Sequence, residues 1–247
     1  MRVLIINTSE RIGGAAIAAN RLMDALRNNG IQAKMLVRDK QTDNITTIAL
    51  PTSWRLRWNF LWERFVIWMH NGCKKKNLFV VSIANCGTDI TCLPEFRKAD
   101  IIHLHWINQG MLSLKGIQKI LLSGKPVVWT LHDMWPCTGI CHHARDCKGF
   151  HHECGQCWLL TSSDGKDLSN NVFLKKQQVY GKGRMHLVTV SRWLQQQVKQ
   201  SALTRELPST IIPNTLSLQK FCIVDKAEAR RQLGLPADKY IILFGAA

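Results

Sequence analysis

Two neighbouring groups of residues in this 247-residue chain have types and spacing suited to chemistry. The apolar run VVWTL (127–131) stops at His132-Asp133, and a segment dense in cysteine and histidine, CTGICHHARDCKGFHHECGQC (137–157), follows it. An apolar run that begins after Pro126 and ends on polar residues has the pattern of a buried parallel strand, and open α/β sheets take their ligands at the carboxyl ends of such strands. His132 is then either a cleft imidazole that touches substrate or a ring that only hydrogen-bonds the backbone, and its place at a strand end favours the first. Asp133 shares that place.

Cys141, Cys147, Cys154 and Cys157 follow the spacing C-x5-C-x6-C-x2-C, and Gly155 permits a tight knuckle in the last pair. Four soft thiolates suit zinc, and a closed all-sulfur site would be structural, ordering a loop with few apolar residues of its own. Disulfides and free thiols remain the other two readings, and Cys137 or a neighbouring histidine could replace one ligand. His103 and His105, in DIIHLHW (100–106), alternate along a strand and share a face. They form either half of a metal site or hydrogen-bonded parts of a core or cleft.

The elements that must hold these groups alternate between strand and helix patterns. Val3–Asn7 predicts a first strand, and an Ala-rich periodic segment over 15–28 predicts a helix closed by Gly30. Gly13 and Gly14 precede that helix, where missing β-carbons let backbone N–H groups approach an anion, or simply let the chain turn. Strands are expected at Gln32–Val37, Asp100–Trp106, Val127–Leu131, His186–Val190, Thr210–Ile212 and Tyr240–Phe244, the last followed by a small-residue turn at 245–247. Helices are expected at Leu112–Leu122, Val172–Tyr180, Ser191–Ser201 and Ala227–Leu233. Strands joined by helical crossovers imply a doubly wound parallel sheet.

One further helix, 54–70, stands apart. Trp54, Trp58, Trp62, Phe65 and Met69 fall at spacings of three and four, with Arg55, Arg57 and Arg64 beside them and Lys74, Lys75 and Lys76 after them. That face either packs on the sheet or sits in the headgroup layer of an anionic membrane.

Lys and Arg number 33 against 17 Asp and Glu, a formal charge of +16 that favours polyanionic partners. The first ten residues lack the apolar core of a secretory signal, and no run reaches membrane-spanning length. The expectation is a cytoplasmic chain, peripheral at the inner membrane face, whose nine cysteines are reduced.

An ordered set of segments resembles glycosyltransferase family 4, in particular bacterial surface and exopolysaccharide transferases: Gly13-Gly14-Ala15, TLHDMWPCTG (130–139), VSRWL (190–194), IPNTLSLQKF (212–221) and EARRQLGLPADKYIILFGA (228–246). The cysteine loop looks like one found in a subset of those enzymes. The resemblance implies the N-terminal, acceptor-side half of a GT-B fold over 1–212, with the Cys-rich loop 137–157 inserted, and over 213–247 a linker and the first strand of a donor-binding domain. By the same resemblance Gly13 and Gly14 lie near a donor diphosphate, His132 contacts the transferred sugar, Asp133 supports the loop after it, and Asn214 lies in the linker.

The implied activity is retaining transfer from a nucleotide sugar to a lipid-linked or polysaccharide acceptor, with no catalytic metal. The family's pair of glutamates separated by seven residues, Glu-x7-Glu, is not in this chain, so weak or no transfer is expected from it alone. A non-catalytic subunit completed in trans is one rival, and a basic zinc-containing nucleic-acid-binding protein another. The latter lacks a recognition helix or an aromatic strand platform, so no nucleic acid is expected.

Overall fold

Short apolar runs separated by amphipathic segments can pair only through crossovers, which is the condition for parallel strands. The computed structural model describes residues 1–51, 54–161, 164–218 and 221–244. Strands β1 (Arg2–Ser9), β2 (Gln32–Asp39), β3 (Thr47–Ala49), β4 (Ile101–Leu104), β5 (Val127–Leu131), β6 (Met185–Thr189) and β7 (Ser209–Ile211) form one sheet. Its order is β3-β2-β1-β4-β5-β6-β7 and every pairing is parallel. The chain is therefore α/β with an open, Rossmann-like sheet. It runs outward from β1 to β3 and then returns to the other side of β1, so the winding reverses between β1 and β4.

The helices are α1 (Gly14–Asn28), α2 (Trp54–His70), α3 (Pro94–Lys98), α4 (Leu114–Leu121), α5 (Leu168–Tyr180), α6 (Arg192–Gln200) and α7 (Lys226–Gln232). Side chains alternate along β1 and serve two cores. Val3 and Ile5 pack with Ala19 and Met23 of α1, whereas Leu4 and Ile6 belong to the larger core that holds Ile117 and Ile120 of α4 and Phe173 of α5. Helix starts follow local chemistry: Ser113, Asp167 and Ser191 cap α4, α5 and α6 by accepting first-turn N–H groups. The start of α1 differs, because Gly13 offers no side-chain cap.

Residues 1–214 and 215–247 are separate compact units. The second carries α7, capped by Asp225, and the strand expected at Tyr240–Phe244 is not formed there. Among the described residues of that unit no strand stands beside it to complete a ladder, and its apolar side chains are exposed. The small-residue turn expected at 245–247 lies outside the described residues, as do 219–220 of the IPNTLSLQKF segment.

Two further expectations change. The strand predicted through Trp106 ends at Leu104, which puts His105 and Trp106 on the loop beyond the sheet. Arg64, expected beside the aromatic face of α2, is buried and ion-paired with Glu63.

Candidate functional site

The reversal between β1 and β4 leaves a crevice at the carboxyl ends of the strands, the position where open α/β sheets place ligands. A cavity of about 720 Å³ occupies it, bordered by Asn7, Gly13, Gly14, Trp106, His132 and Asp133. Sequence reasoning named four of these six. Gly13 has φ +87, a conformation open to glycine, and a β-carbon built on Gly13 or Gly14 would meet no protein atom within 4 Å. Protein packing does not fill the space above them, and the uncapped N–H groups of the first turn of α1 face an anion-friendly position.

His132 enters the site through a stack of imidazoles. The ring of His103 lies 4.7 Å from that of His105, which lies 5.1 Å from that of His132. His105 Nδ1 and His132 Nε2 share one hydrogen bond at 2.9 Å, and His103 Nε2 meets Thr130 Oγ1 at 2.8 Å. The pair of histidines on β4 and just beyond it is thus hydrogen-bonded scaffolding for the third. Burial pushes His132 down to about 4, against the opposing pull of the Asp133 carboxylate. Burial, with His132 nearby, holds His103 at about 4, and burial keeps His105 well below its ordinary value. All three rings are neutral at neutral pH, so His132 presents a hydrogen-bonding imidazole to the cavity and no charge. His105 Nε2 and Asn108 Oδ1 are buried without partners, and both residues line a second cavity of about 10 Å³, roughly the room one water needs.

Asp133 points at protein. Its Oδ2 accepts from Trp106 Nε1 at 2.9 Å and from His142 Nδ1 at 2.6 Å, while Oδ1 accepts from the Trp135 amide at 2.9 Å. Burial pushes this carboxyl up, but the bond to His142, with those from Trp135 and Trp106, outweighs burial and holds it below its usual value. His142 Nε2 in turn meets Ser82 Oγ at 2.9 Å. Ser82, His142 and Asp133 have the connectivity of a hydrolase triad, yet Ser82 is buried, with its carbonyl taken by Trp135 Nε1 and its amide by Ile140. The arrangement ties the cysteine loop to the cleft and offers no nucleophile. Sequence reasoning missed Trp106, Asn7 and His142. Trp106 could have been found as the residue past a strand end, but nothing local marks His142 as the partner of Asp133.

The four cysteines proposed as ligands border one cavity of about 20 Å³. Gly139 N–H donates to Cys154 Sγ at 3.3 Å, and the nearby Lys176 is fully buried, with Nζ bound to the carbonyls of Trp135 and Thr138 at 2.6 and 2.9 Å. Burial lowers Lys176 to about 7 against the pull of Cys154, Cys141 and Cys137. It also raises the Cys141 and Cys154 thiols to about 11 and about 12. Gly155 is needed for a different reason than expected: a β-carbon there would stand 2.5 Å from the Gly165 carbonyl, and the left-handed residue of the knuckle is Gln156, φ 48. None of the nine cysteines is bridged. Among the described residues no group of three or more His, Cys, Asp or Glu is arranged to hold a metal ion, so the donor types suit zinc while their placement is not that of a closed site.

No protein-family model matches the chain, and no curated protein matches it.

Proposed function

We propose that the chain is the acceptor-side half of a GT-B glycosyltransferase of family 4 type, acting in retaining transfer from a nucleotide sugar to a lipid-linked or polysaccharide acceptor. The observation that carries this is the shared cavity of about 720 Å³, with Gly13 and Gly14 at the uncapped start of α1 and His132 bordering the same space. Helix amides would stabilise the diphosphate as it leaves, because they are fixed donors aimed where negative charge grows. The neutral His132 would hydrogen-bond a hydroxyl of the transferred sugar, and Asp133 would set the position of Trp106 and the following loop. Residues 213–247 would be the linker and the start of the donor-binding domain.

Titration with a panel of nucleotide sugars and lipid-linked saccharides tests this reading. Saccharide or diphosphate binding is expected, and His132→Ala should weaken it by about tenfold or more, the loss of one well-placed buried hydrogen bond. Gly14→Val supplies a control, since its side chain enters open space. It should leave stability within about 0.5 kcal/mol while obstructing the diphosphate. Sub-micromolar, salt-sensitive binding to DNA or RNA with no saccharide binding would replace the proposal with the nucleic-acid reading.

Cys141, Cys147, Cys154 and Cys157 would take a structural zinc in this proposal only by closing from the placement described above, exchanging thiol protons for metal. Chain purified without chelator should contain about one zinc per molecule by mass spectrometry and lose about two or more kcal/mol of stability when the metal is stripped. Metal-free protein with these thiols open to alkylation and unchanged stability would retire the zinc.

A further inference from the structure

We infer that α2 is a docking surface for an anionic lipid bilayer, which it binds lying flat. At about 100° per residue, Trp54, Trp58, Leu61, Trp62, Phe65 and Met69 fall within one arc of about 100°. All six are exposed, between 41% and 71%. The opposite side of the helix is buried: Glu63, Arg64 and Ile67 face the protein. The helix is therefore seated by Ile67, Leu56 and Val66 together with the ion pair of Glu63 and Arg64, and it turns its aromatic side to solvent. Its rings are ordered along the arc, with Trp58 and Trp62 stacked at 6.0 Å and Phe65 5.6 Å from Trp62.

Charge decides what covers this face. Arg55 and Arg57 are exposed and, by the same helical geometry, lie on either edge of the apolar arc. Lys74, Lys75 and Lys76 are exposed just past the helix end, followed by the exposed Phe79 and Val80. The one carboxylate between 54 and 80 is Glu63, fully buried and ion-paired with Arg64 at 3.0 Å. The exposed surface of this segment thus carries cations and apolar side chains, with His70 and Cys73, and no carboxylate.

A second copy meeting this face would bring two such sets of cations together with no carboxylate to neutralise them. A nucleic acid would satisfy the cations but leave Leu61 and Met69 without an apolar environment. An anionic bilayer satisfies both, because indole rings lie at the headgroup level, aliphatic groups enter the acyl boundary and Arg and Lys meet phosphate. No helix among the described residues is long and apolar enough to cross a membrane, so α2 rests on the bilayer. This inference stands on α2 alone and does not depend on the transferase proposal.

Flotation of the full chain with vesicles of phosphatidylcholine, with and without about 30% phosphatidylglycerol, tests it; on the order of a hundredfold stronger binding to the anionic vesicles is expected, weakening with salt. The triple substitution Trp58→Ser, Trp62→Ser and Phe65→Ser should reduce binding by at least about tenfold while leaving the thermal midpoint and far-ultraviolet spectrum unchanged, because these side chains contact solvent. Lys74→Glu with Lys76→Glu should abolish the preference for anionic vesicles and provides a second probe if the triple variant does not fold. Equal binding to neutral vesicles, absence of binding, unchanged binding by the variants, or a dimer in light scattering that the triple variant disperses would each overturn the inference.

Discussion

Acidified from about pH 6.5 to about pH 4, the folded chain will lose several kcal/mol of stability, because its three stacked histidines resist protonation that the unfolded chain accepts. His103 and His132 each titrate near about 4 in the folded state, held down first by burial, against an ordinary value of 6.5. Within that window the unfolded chain binds more protons, so stability rises with pH and is lost as pH falls below the unfolded value. Each shift corresponds to roughly 3 kcal/mol when complete. His105, lowered further, adds in the same direction. Asp133 has linkage of the same sign in a lower window: its carboxyl is lowered in the folded state, so its contribution is present above its ordinary 3.8 and is lost as pH falls below that value.

Urea unfolding at pH 7, 6, 5 and 4 measures the slope. The midpoint should fall steadily through this range, and His103→Gln should flatten the curve by removing one of the depressed groups while keeping a partner for Thr130. A midpoint independent of pH between 7 and 4.5 would show that the stack is hydrated and that His132 can carry charge. That result would also weaken the neutral hydrogen-bonding role given to His132.

Strand and helix placement was legible because period and punctuation are local. VVWTL between Pro126 and His132, and the helix start at Ser191, are read correctly from a few neighbours. The cavity's glycines and His132 were legible for the same reason, as strand-end and helix-start residues. What escaped depends on pairings distant in sequence: Asp133 with His142 and Trp106, Ser82 with His142, and Trp106 with Asn7 on β1. Period also cannot say which way an amphipathic helix turns. The aromatic spacing of α2 fits a core face and a solvent face equally, and the burial of Glu63, Arg64 and Ile67, with Leu56 and Val66 packed on the core, decides the matter. The run YIILF is as apolar as VVWTL, but among the described residues no strand pairs with it and its side chains are exposed.

Replacing Glu63 by alanine should cost about 3–5 kcal/mol, an effect out of proportion to a single glutamate on a helix. One oxygen of its carboxylate accepts the amides of Ile83 and Ala84 at 2.8 and 2.9 Å, and the other faces Arg64 Nη2 at 3.0 Å. Arg64 in turn donates to the carbonyls of Leu78 and Val81 and lies over the Phe60 and Phe79 rings. Alanine would leave a buried guanidinium without its counter-charge and two amides without acceptors, each an uncompensated desolvation.

Glu63→Gln keeps an acceptor for the amides and should cost less, while Glu63→Met with Arg64→Met removes both charges and should recover part of the loss. Chemical denaturation gives the magnitudes, and amide exchange at residues 81–84 locates the damage. A loss below about 1 kcal/mol for Glu63→Ala would mean that water reaches the pair and that α2 is seated by its apolar contacts through Ile67, Leu56 and Val66. The consequence extends beyond α2, because the segment that Glu63 holds includes Ser82, whose hydroxyl meets His142 and whose amide and carbonyl meet Ile140 and Trp135. The aromatic helix is thereby linked through one carboxylate and one strand-like segment to the bonds that fix Asp133 at the cleft. Loosening it should increase exchange at the Trp135 amide before the sheet itself opens.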